Sequence, residues 1–278
     1  MEGRIMSSNV KLKVLVVDDS TIVHGIFADM AEGSPIPFEV IRAHNGQQCM
    51  EFLKQGGINL AFIDVNMPGM SGVDAVSAAR YEGIKTFVTL ISSNPSKRRF
   101  QLARLLKVYE FLAKPFTAAD VYAILRTYCK VNTPTRALIV DDSATVRRLI
   151  NKVVSGSVFN FDVNEAADGE KALEACENGD YDVIVLDCNM PGLNGVETLE
   201  RLIERDPGVK VIMMSGERNE ERRRWALDRG AIAFLYKPFY PADIDRELHK
   251  LFDLKMPMLA SAEDTEPAAM PASAGSKA

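Results

Sequence analysis

This sequence predicts two tandem doubly wound α/β units, each built as (βα)5 around a parallel five-stranded sheet. Three observations carry that expectation. First, the chain repeats itself at a fixed spacing. Asp18-Asp19 returns as Asp141-Asp142, Asp64 as Asp187, Ser92 as Ser215 and Lys114-Pro115-Phe116 as Lys237-Pro238-Phe239, always 123 residues later. Second, short, nearly continuous Val/Ile/Leu runs recur within each copy, the pattern of strands buried on both faces of a parallel sheet. Third, helix-like stretches separate those runs, and such alternation defines a doubly wound fold. A chain of 278 residues holds about two domains of ordinary size.

In chain order, the apolar runs predict strands at Val14–Val17, Glu39–Ile41, Leu60–Ile63, Phe87–Ile91 and Glu110–Leu112 in the first copy. The second copy predicts them at Ala137–Val140, Phe161–Val163, Val183–Leu186, Val209–Met214 and Ala233–Leu235. Ser20 and Ser143 are N-cap candidates for the first helix of each copy. Thr117 can cap the last helix of copy one, and Pro241 fits the first turn of its counterpart. The expected organisation is a disordered start at 1–10, domains at 11–130 and 136–255, a linker at 131–135 and a disordered tail at 256–278. A linker this short, with Pro134 in it, predicts domains that touch or hold a semi-rigid orientation. The tail turns to Ala, Pro, Ser, Glu and Asp, too polar to pack a core.

The bulk properties exclude several classes. The 47% hydrophobic fraction is ordinary for a globular protein, and no apolar run approaches the ~20 residues that span a bilayer. Met1 to Lys13 contains no apolar core of a secretion signal. A cytoplasmic protein without membrane insertion is expected. Cys49, Cys129, Cys176 and Cys188 show no CxxC spacing and do not repeat in register, which argues against zinc and against a disulfide framework. The net charge of −5 conceals +3 over residues 1–133 and −8 over 134–278. The halves present different faces, and neither has the basic excess of a nucleic-acid binder.

In a doubly wound sheet, ligands bind beyond the carboxyl ends of the strands. Asp18 and Asp19 follow the first strand, Asp64 ends the third, Ser92 the fourth, and Lys114 follows the fifth. Asp141, Asp142, Asp187, Ser215 and Lys237 repeat the arrangement. Three carboxylates converging on one edge raise one another's pKa unless a cation joins them. An all-oxygen set without His or Cys suits a hard cation, Mg²⁺ first. Lys114 or Lys237 can neutralise an incoming phosphoryl oxygen, Ser92 or Ser215 can donate to another, and Asp64 or Asp187 is placed as nucleophile. Phosphoryl transfer needs mainly such positioning and charge stabilisation.

With these motifs in place, each copy resembles a receiver domain of two-component response regulators. The matching stretches are KVLVVDDS and RALIVDDS, FIDVNMPGMSG and VLDCNMPGLNG, the hydroxyl after strand four, and FLAKPF and FLYKPF, together covering essentially residues 11–254. The resemblance implies flavodoxin-like receiver folds and a phosphorelay role. Asp64 and Asp187 would accept phosphoryl from a histidine kinase or histidine phosphotransfer protein. Asp18, Asp19, Asp141 and Asp142 would hold Mg²⁺ with the acceptor acid and the backbone carbonyl of Asn66 or Asn189. Lys114, Lys237, Ser92 and Ser215 would bind the phosphoryl group, and Phe111 and Phe234 would occupy the place of the aromatic switch. The shifted hydroxyl would then bias the face made by helix four, strand five and helix five.

Copy two is the closer match. Ser143-Ala144-Thr145-Val146-Arg147-Arg148 resembles the first helix of chemotaxis-type receivers, and the Asn189/Glu217 pair resembles that of the fast-dephosphorylating chemotaxis receiver, which predicts a short-lived phosphate on Asp187. Copy one departs from it. His24-Gly25 replaces Arg147-Arg148 and weakens the helix, Ser93 crowds the acid, and Asn94-Pro95 stiffens the loop. His24, His44 and His249 are scattered, and Lys97-Arg98-Arg99 and Arg222-Arg223-Arg224 read as solvated helix faces with room for a docking role. The expected output is contact with a downstream protein, with no separate output domain and no enzymatic activity beyond self-phosphorylation and dephosphorylation. A homodimer is compatible with the short linker. A phosphate sink or relay intermediate, and a scaffold with one inactive receiver, are the alternatives. An aspartyl-phosphate phosphohydrolase would need a second acid where Asn66 and Asn189 stand.

Overall fold

The computed structural model describes residues 11–94 and 96–257, and the side chain of Lys97 lies outside that description. The expected disorder of 1–10, the stiffening by Pro95 and all but Met256 and Pro257 of the expected disordered tail fall outside the described residues. The chain folds as two compact units that divide between Tyr122 and Ala123.

The first copy alternates β1 (Leu12–Val17), α1 (Thr21–Glu32), β2 (Phe38–Ala43), α2 (Gly46–Gln55), β3 (Leu60–Asp64), α3 (Gly72–Tyr81), β4 (Phe87–Ser92), α4 (Lys97–Leu105), β5 (Glu110–Ala113) and α5 (Ala118–Asn132), the division between units falling within α5. Its sheet has the order β2-β1-β3-β4-β5, every pair parallel. The second copy follows with β6 (Thr135–Val140), α6 (Ala144–Val154), β7 (Phe161–Ala166), α7 (Gly169–Asn178), β8 (Val183–Asp187), α8 (Gly195–Arg205), β9 (Val211–Ser215), α9 (Glu220–Asp228), β10 (Ala233–Tyr236) and α10 (Pro241–Leu251). Its sheet repeats the order as β7-β6-β8-β9-β10, again parallel.

The central strands are largely buried, β3 and β8 at every residue. On one side of the first sheet, Leu15, Val17, Ile63 and Leu90 pack with Ala75, Val76 and Ala79 of α3. Leu138, Val140, Ile184 and Leu186 pack with Leu199 and Leu202 of α8 in the second. Each large side chain buried in this way stabilises its unit by about 1.5–3 kcal/mol. This packing fixes the strand ends, and with them the residues that follow.

The edges differ from expectation for local reasons. β7 runs to Ala166, beyond the expected Val163, because Asp162, Asn164 and Glu165 interrupt its apolar pattern on an edge strand. β9 starts at Val211, since Val209 N–H is taken by the carbonyl of Asp206 in the preceding turn. Of the expected linker, Val131 and Asn132 are helix and Thr135 opens β6, which leaves only Thr133 and Pro134 between elements. Val131 is buried and its carbonyl accepts from Asn160 N–H at 2.8 Å, so burial carries the helix through a stretch whose composition reads as a turn.

The helix starts follow their caps. Ser143 Oγ accepts from Val146 N–H at 3.4 Å, whereas Ser20 stands at the N-cap position without a side-chain bond. Thr117 and Asp120 exchange bonds, and Pro241 occupies the first turn of α10. α1 forms without interruption despite Gly25, anchored by buried His24 and Phe27.

Gly72 and Gly195 open α3 and α8 directly under the acid-bearing strands. Gly72 N–H bonds the carbonyl of Val65, and Gly195 N–H that of Cys188. A Cβ on either glycine would overlap the backbone carbonyl oxygen of Asp64 or Asp187. Only glycine permits a helix to start this close to the strand end. Gly195→Ala is therefore expected to cost about 2 kcal/mol or more through overpacking, read as a lower urea midpoint.

Candidate functional site

Each sheet reverses its winding direction beside the first strand of its copy, between β1 and β3 and between β6 and β8. A crevice opens there at the carboxyl ends. Asp18 and Asp64 border it in the first unit, Asp141 and Asp187 in the second, and all four are buried. Lys114 Nζ lies 2.8 Å from Asp18 Oδ2 and 2.6 Å from Asp64 Oδ1. Lys237 Nζ lies 2.6 Å from both Asp141 Oδ2 and Asp187 Oδ1. The peptide bonds Lys114–Pro115 and Lys237–Pro238 are both cis.

The remaining carboxylate oxygens accept from the backbone. Ser20 N–H donates to Asp18 Oδ1 at 2.9 Å, and Asn66 N–H to Asp64 Oδ2 at 2.7 Å. In the second unit Ser143 N–H and Asn189 N–H make the same bonds, each at 2.9 Å. Burial pushes the Asp64 and Asp187 carboxyls above the ordinary range, while the lysine and the backbone N–H pull the other way. Burial also lowers Lys114 and Lys237, but their bonds to the two carboxylates outweigh it and leave both ammonium groups raised.

Asp19 and Asp142, expected to complete a trio of acids, are exposed. Among the described residues no three acidic, His or Cys side chains are grouped as a metal cage. Within each buried pair the lysine supplies the counter-charge, and Asp19 or Asp142 stands beside it at the surface. In kind, the donors still fit a hard cation: carboxylate and carbonyl oxygens, with no thiolate offered. Cys188 beside Asp187 is buried and its thiol is pushed up to about 12 by desolvation, with Asp187 adding to the shift.

Ser92 and Ser215 are fully buried at the ends of β4 and β9. Their Oγ atoms each accept at 3.1 Å, from Asn94 N–H and from Glu217 N–H. Ser93, which follows the buried Ser92, is exposed. Phe111 is interior and meets Phe100 edge-on, with ring centroids 5.1 Å apart. Phe234 is interior beside Tyr236.

Two contributors escaped the sequence reading. Arg99 and Arg222, read as parts of solvated basic runs, turn toward the crevice. Arg99 donates to Asn66 Oδ1 at 2.9 Å, to Ser92 Oγ at 3.1 Å and to the Asn94 carbonyl at 2.9 Å. Arg222 donates to Asn189 Oδ1 at 2.9 Å and meets Glu217 Oε2 at 3.4 Å. They are 123 residues apart like the other landmarks, and that register was the available signal. His24 and His249 lie on helices as expected but are buried. His24 Nε2 bonds the Asp18 carbonyl at 2.9 Å, where Arg147 bonds the Asp141 carbonyl at 2.8 Å in the second unit.

The family model described as "Response regulator receiver domain" matches residues 14–126 and 137–249. The nitrate/nitrite response regulator protein NarL of Escherichia coli (strain K12) is 37% identical over 117 residues, covering 42% of this chain and 54% of that protein. Chemotaxis protein CheY-3 of Vibrio cholerae is 35% identical over 126 residues, covering 44% of this chain and 95% of that protein. This chain thus spans about half the length of NarL. A solved response regulator/GGDEF domain protein superposes with a TM-score of 0.60 at 20% identity, over 87% of this chain and 98% of that one, a likeness of fold alone. Buried lysine-bridged acids thus stand at the carboxyl ends of both parallel five-stranded sheets. The chain belongs to the response regulator receiver family, with two receiver domains in tandem. No helix among the described residues is long and apolar enough to cross a membrane.

Lys237→Met leaves Asp141 and Asp187 buried without a counter-charge, which is expected to cost about 3–5 kcal/mol in metal-free urea denaturation. Lys237 is raised in the folded state. Its stabilisation is therefore complete below the unfolded lysine pKa of about 10.4 and is lost as pH rises through the folded value. The wild type should lose stability across that alkaline window, and the variant should lose less.

Proposed function

We propose that both receivers take a phosphoryl group from a phosphohistidine donor, a histidine kinase or histidine phosphotransfer protein, onto Asp64 and Asp187. The observation that carries this reading is the Lys-bridged acid pair, present in both units with the same partners. The ammonium holds one acceptor oxygen, the backbone N–H after the turn holds the other, and together they aim the carboxylate. The new bond joins an aspartate oxygen to phosphorus as the donor's P–N bond breaks, the electron pair leaving with the nitrogen. Lys114 or Lys237 then neutralises charge on the phosphoryl oxygens, and the hydroxyl of Ser92 or Ser215 donates a hydrogen bond to one of them.

Mg²⁺ is the cofactor this reading implies. Asp18, Asp19, Asp64 and the carbonyl of Asn66 would hold it in the first receiver, and Asp141, Asp142, Asp187 and the carbonyl of Asn189 in the second. When bound, it supplies neutralisation of phosphoryl charge. The chain acts as an interaction switch in the cytoplasm, catalysing only its own phosphorylation and dephosphorylation. Its output is contact of the α4–β5–α5 face, or of α9–β10–α10, with a downstream protein. Neither nucleic acid nor membrane is a partner in this reading. Phe111 and Phe234 are the aromatic elements of the switch.

Treatment with a small-molecule phosphodonor and Mg²⁺, read by intact mass, tests the reading. Two phosphoryl groups are expected on the wild type and one on each of Asp64→Ala and Asp187→Ala. After donor removal, the phosphate on Asp187, next to Asn189 and Glu217, is expected to decay faster than that on Asp64. Wild type without mass gain would overturn the proposal, and a second-receiver half-life of many hours would overturn the expected decay order.

A further inference from the structure

The two receivers share their acids, lysine and hydroxyl, but they restrain the crevice arginine differently. In the second, Arg222 meets the carboxylate of Glu217. In the first, the residue at that position is Asn94, and the bonds made by Arg99 all go to neutral acceptors: an amide oxygen, a hydroxyl and a backbone carbonyl. Those acceptors frame the acid. Asn66 follows Asp64 by two residues, and its N–H is bonded to the Asp64 carboxylate. Ser92 is the buried hydroxyl at the end of the neighbouring strand. The corresponding Arg222 lines a pocket with Cys188, Asn189 and Met190, the residues directly after Asp187.

A guanidinium bound only to neutral oxygens gains from exchanging them for an anion, because charge-assisted hydrogen bonds are roughly twice as strong. Its planar fork matches phosphate oxygens in pairs. Arg222 has less to gain, since a carboxylate already holds it.

We propose that Arg99 is a phosphoryl-binding residue of the first receiver: its guanidinium leaves Ser92 and Asn66 for the oxygens of a phosphoryl group on Asp64, while Glu217 holds Arg222 back from the same move. The inference rests on Asp64 being a phosphoacceptor. The exchange frees the Ser92 hydroxyl from one of its two donors and draws the first turn of α4 toward the crevice. It also screens phosphorus from water. The two receivers thereby differ in phosphate lifetime through one exchanged position, Asn94 against Glu217.

The test uses the full chain carrying Asp187→Ala, with only Asp64 left to be labelled by the phosphodonor, and follows loss of the phosphoryl group by intact mass. Arg99→Gln is expected to speed that loss at least about tenfold, the worth of one charge-assisted hydrogen bond. Asn94→Glu, which gives Arg99 the leash that Arg222 has, should act in the same direction, and Arg99→Lys should restore part of the lifetime. In the chain carrying Asp64→Ala, Glu217→Asn should lengthen the life of the Asp187 phosphate, and adding Arg222→Gln should abolish that gain. Unchanged decay in Arg99→Gln and Asn94→Glu, in a parent that is phosphorylated on Asp64, overturns the assignment of Arg99 alone. A parent that takes no phosphoryl group overturns both the assignment and the reading beneath it.

Discussion

One ammonium between two buried carboxylates organises each half of this molecule. Lys114 joins the end of β1 to the end of β3 from the far side of the sheet, and Lys237 does the same for β6 and β8. The charges are affordable inside the fold only together, since a buried pair that loses one partner leaves an uncompensated ion. That constraint explains why the acids, the lysine and the glycines beneath them recur at one spacing while the core around them varies. A core position tolerates exchange among apolar side chains of similar volume. A buried carboxylate with fixed partners does not.

The same triad connects structure to chemistry. Both oxygens of Asp64 and of Asp187 are held, one by the lysine and one by a backbone N–H, so each carboxylate has a fixed orientation. Burial raises the two carboxyls and the lysine counters that shift. The crevice therefore sets each of these carboxylates directly against an ammonium group. Positive charge placed in advance, with little reorganisation at the moment of transfer, is the main contribution a protein makes to this class of reaction.

Much of this was legible in the sequence because it rests on unusual residues at fixed places. An acid pair after an apolar run, a third acid at the end of another and a Lys-Pro after a fifth specify the strand ends they occupy. Less regular features were hidden. β7 carries three polar residues on an edge strand, α5 continues through a stretch with the composition of a turn, and Asp19 and Asp142 lie outside the buried pair they adjoin. Arg99 and Arg222 stand in basic runs, and composition alone does not distinguish an arginine that faces solvent from one that reaches back over a crevice. His24 and Arg147 show the same limit: unlike side chains, one bond to the same backbone carbonyl.

The most direct measurement is chemical localisation of the acceptor. Borohydride reduces an aspartyl phosphate to homoserine and releases phosphate, which marks the residue covalently. Full-length protein treated with phosphodonor and Mg²⁺, reduced and mapped by peptide mass spectrometry, should carry homoserine at positions 64 and 187. Homoserine at any other aspartate, or at neither of these two, would contradict the central role given to the lysine-bridged acids.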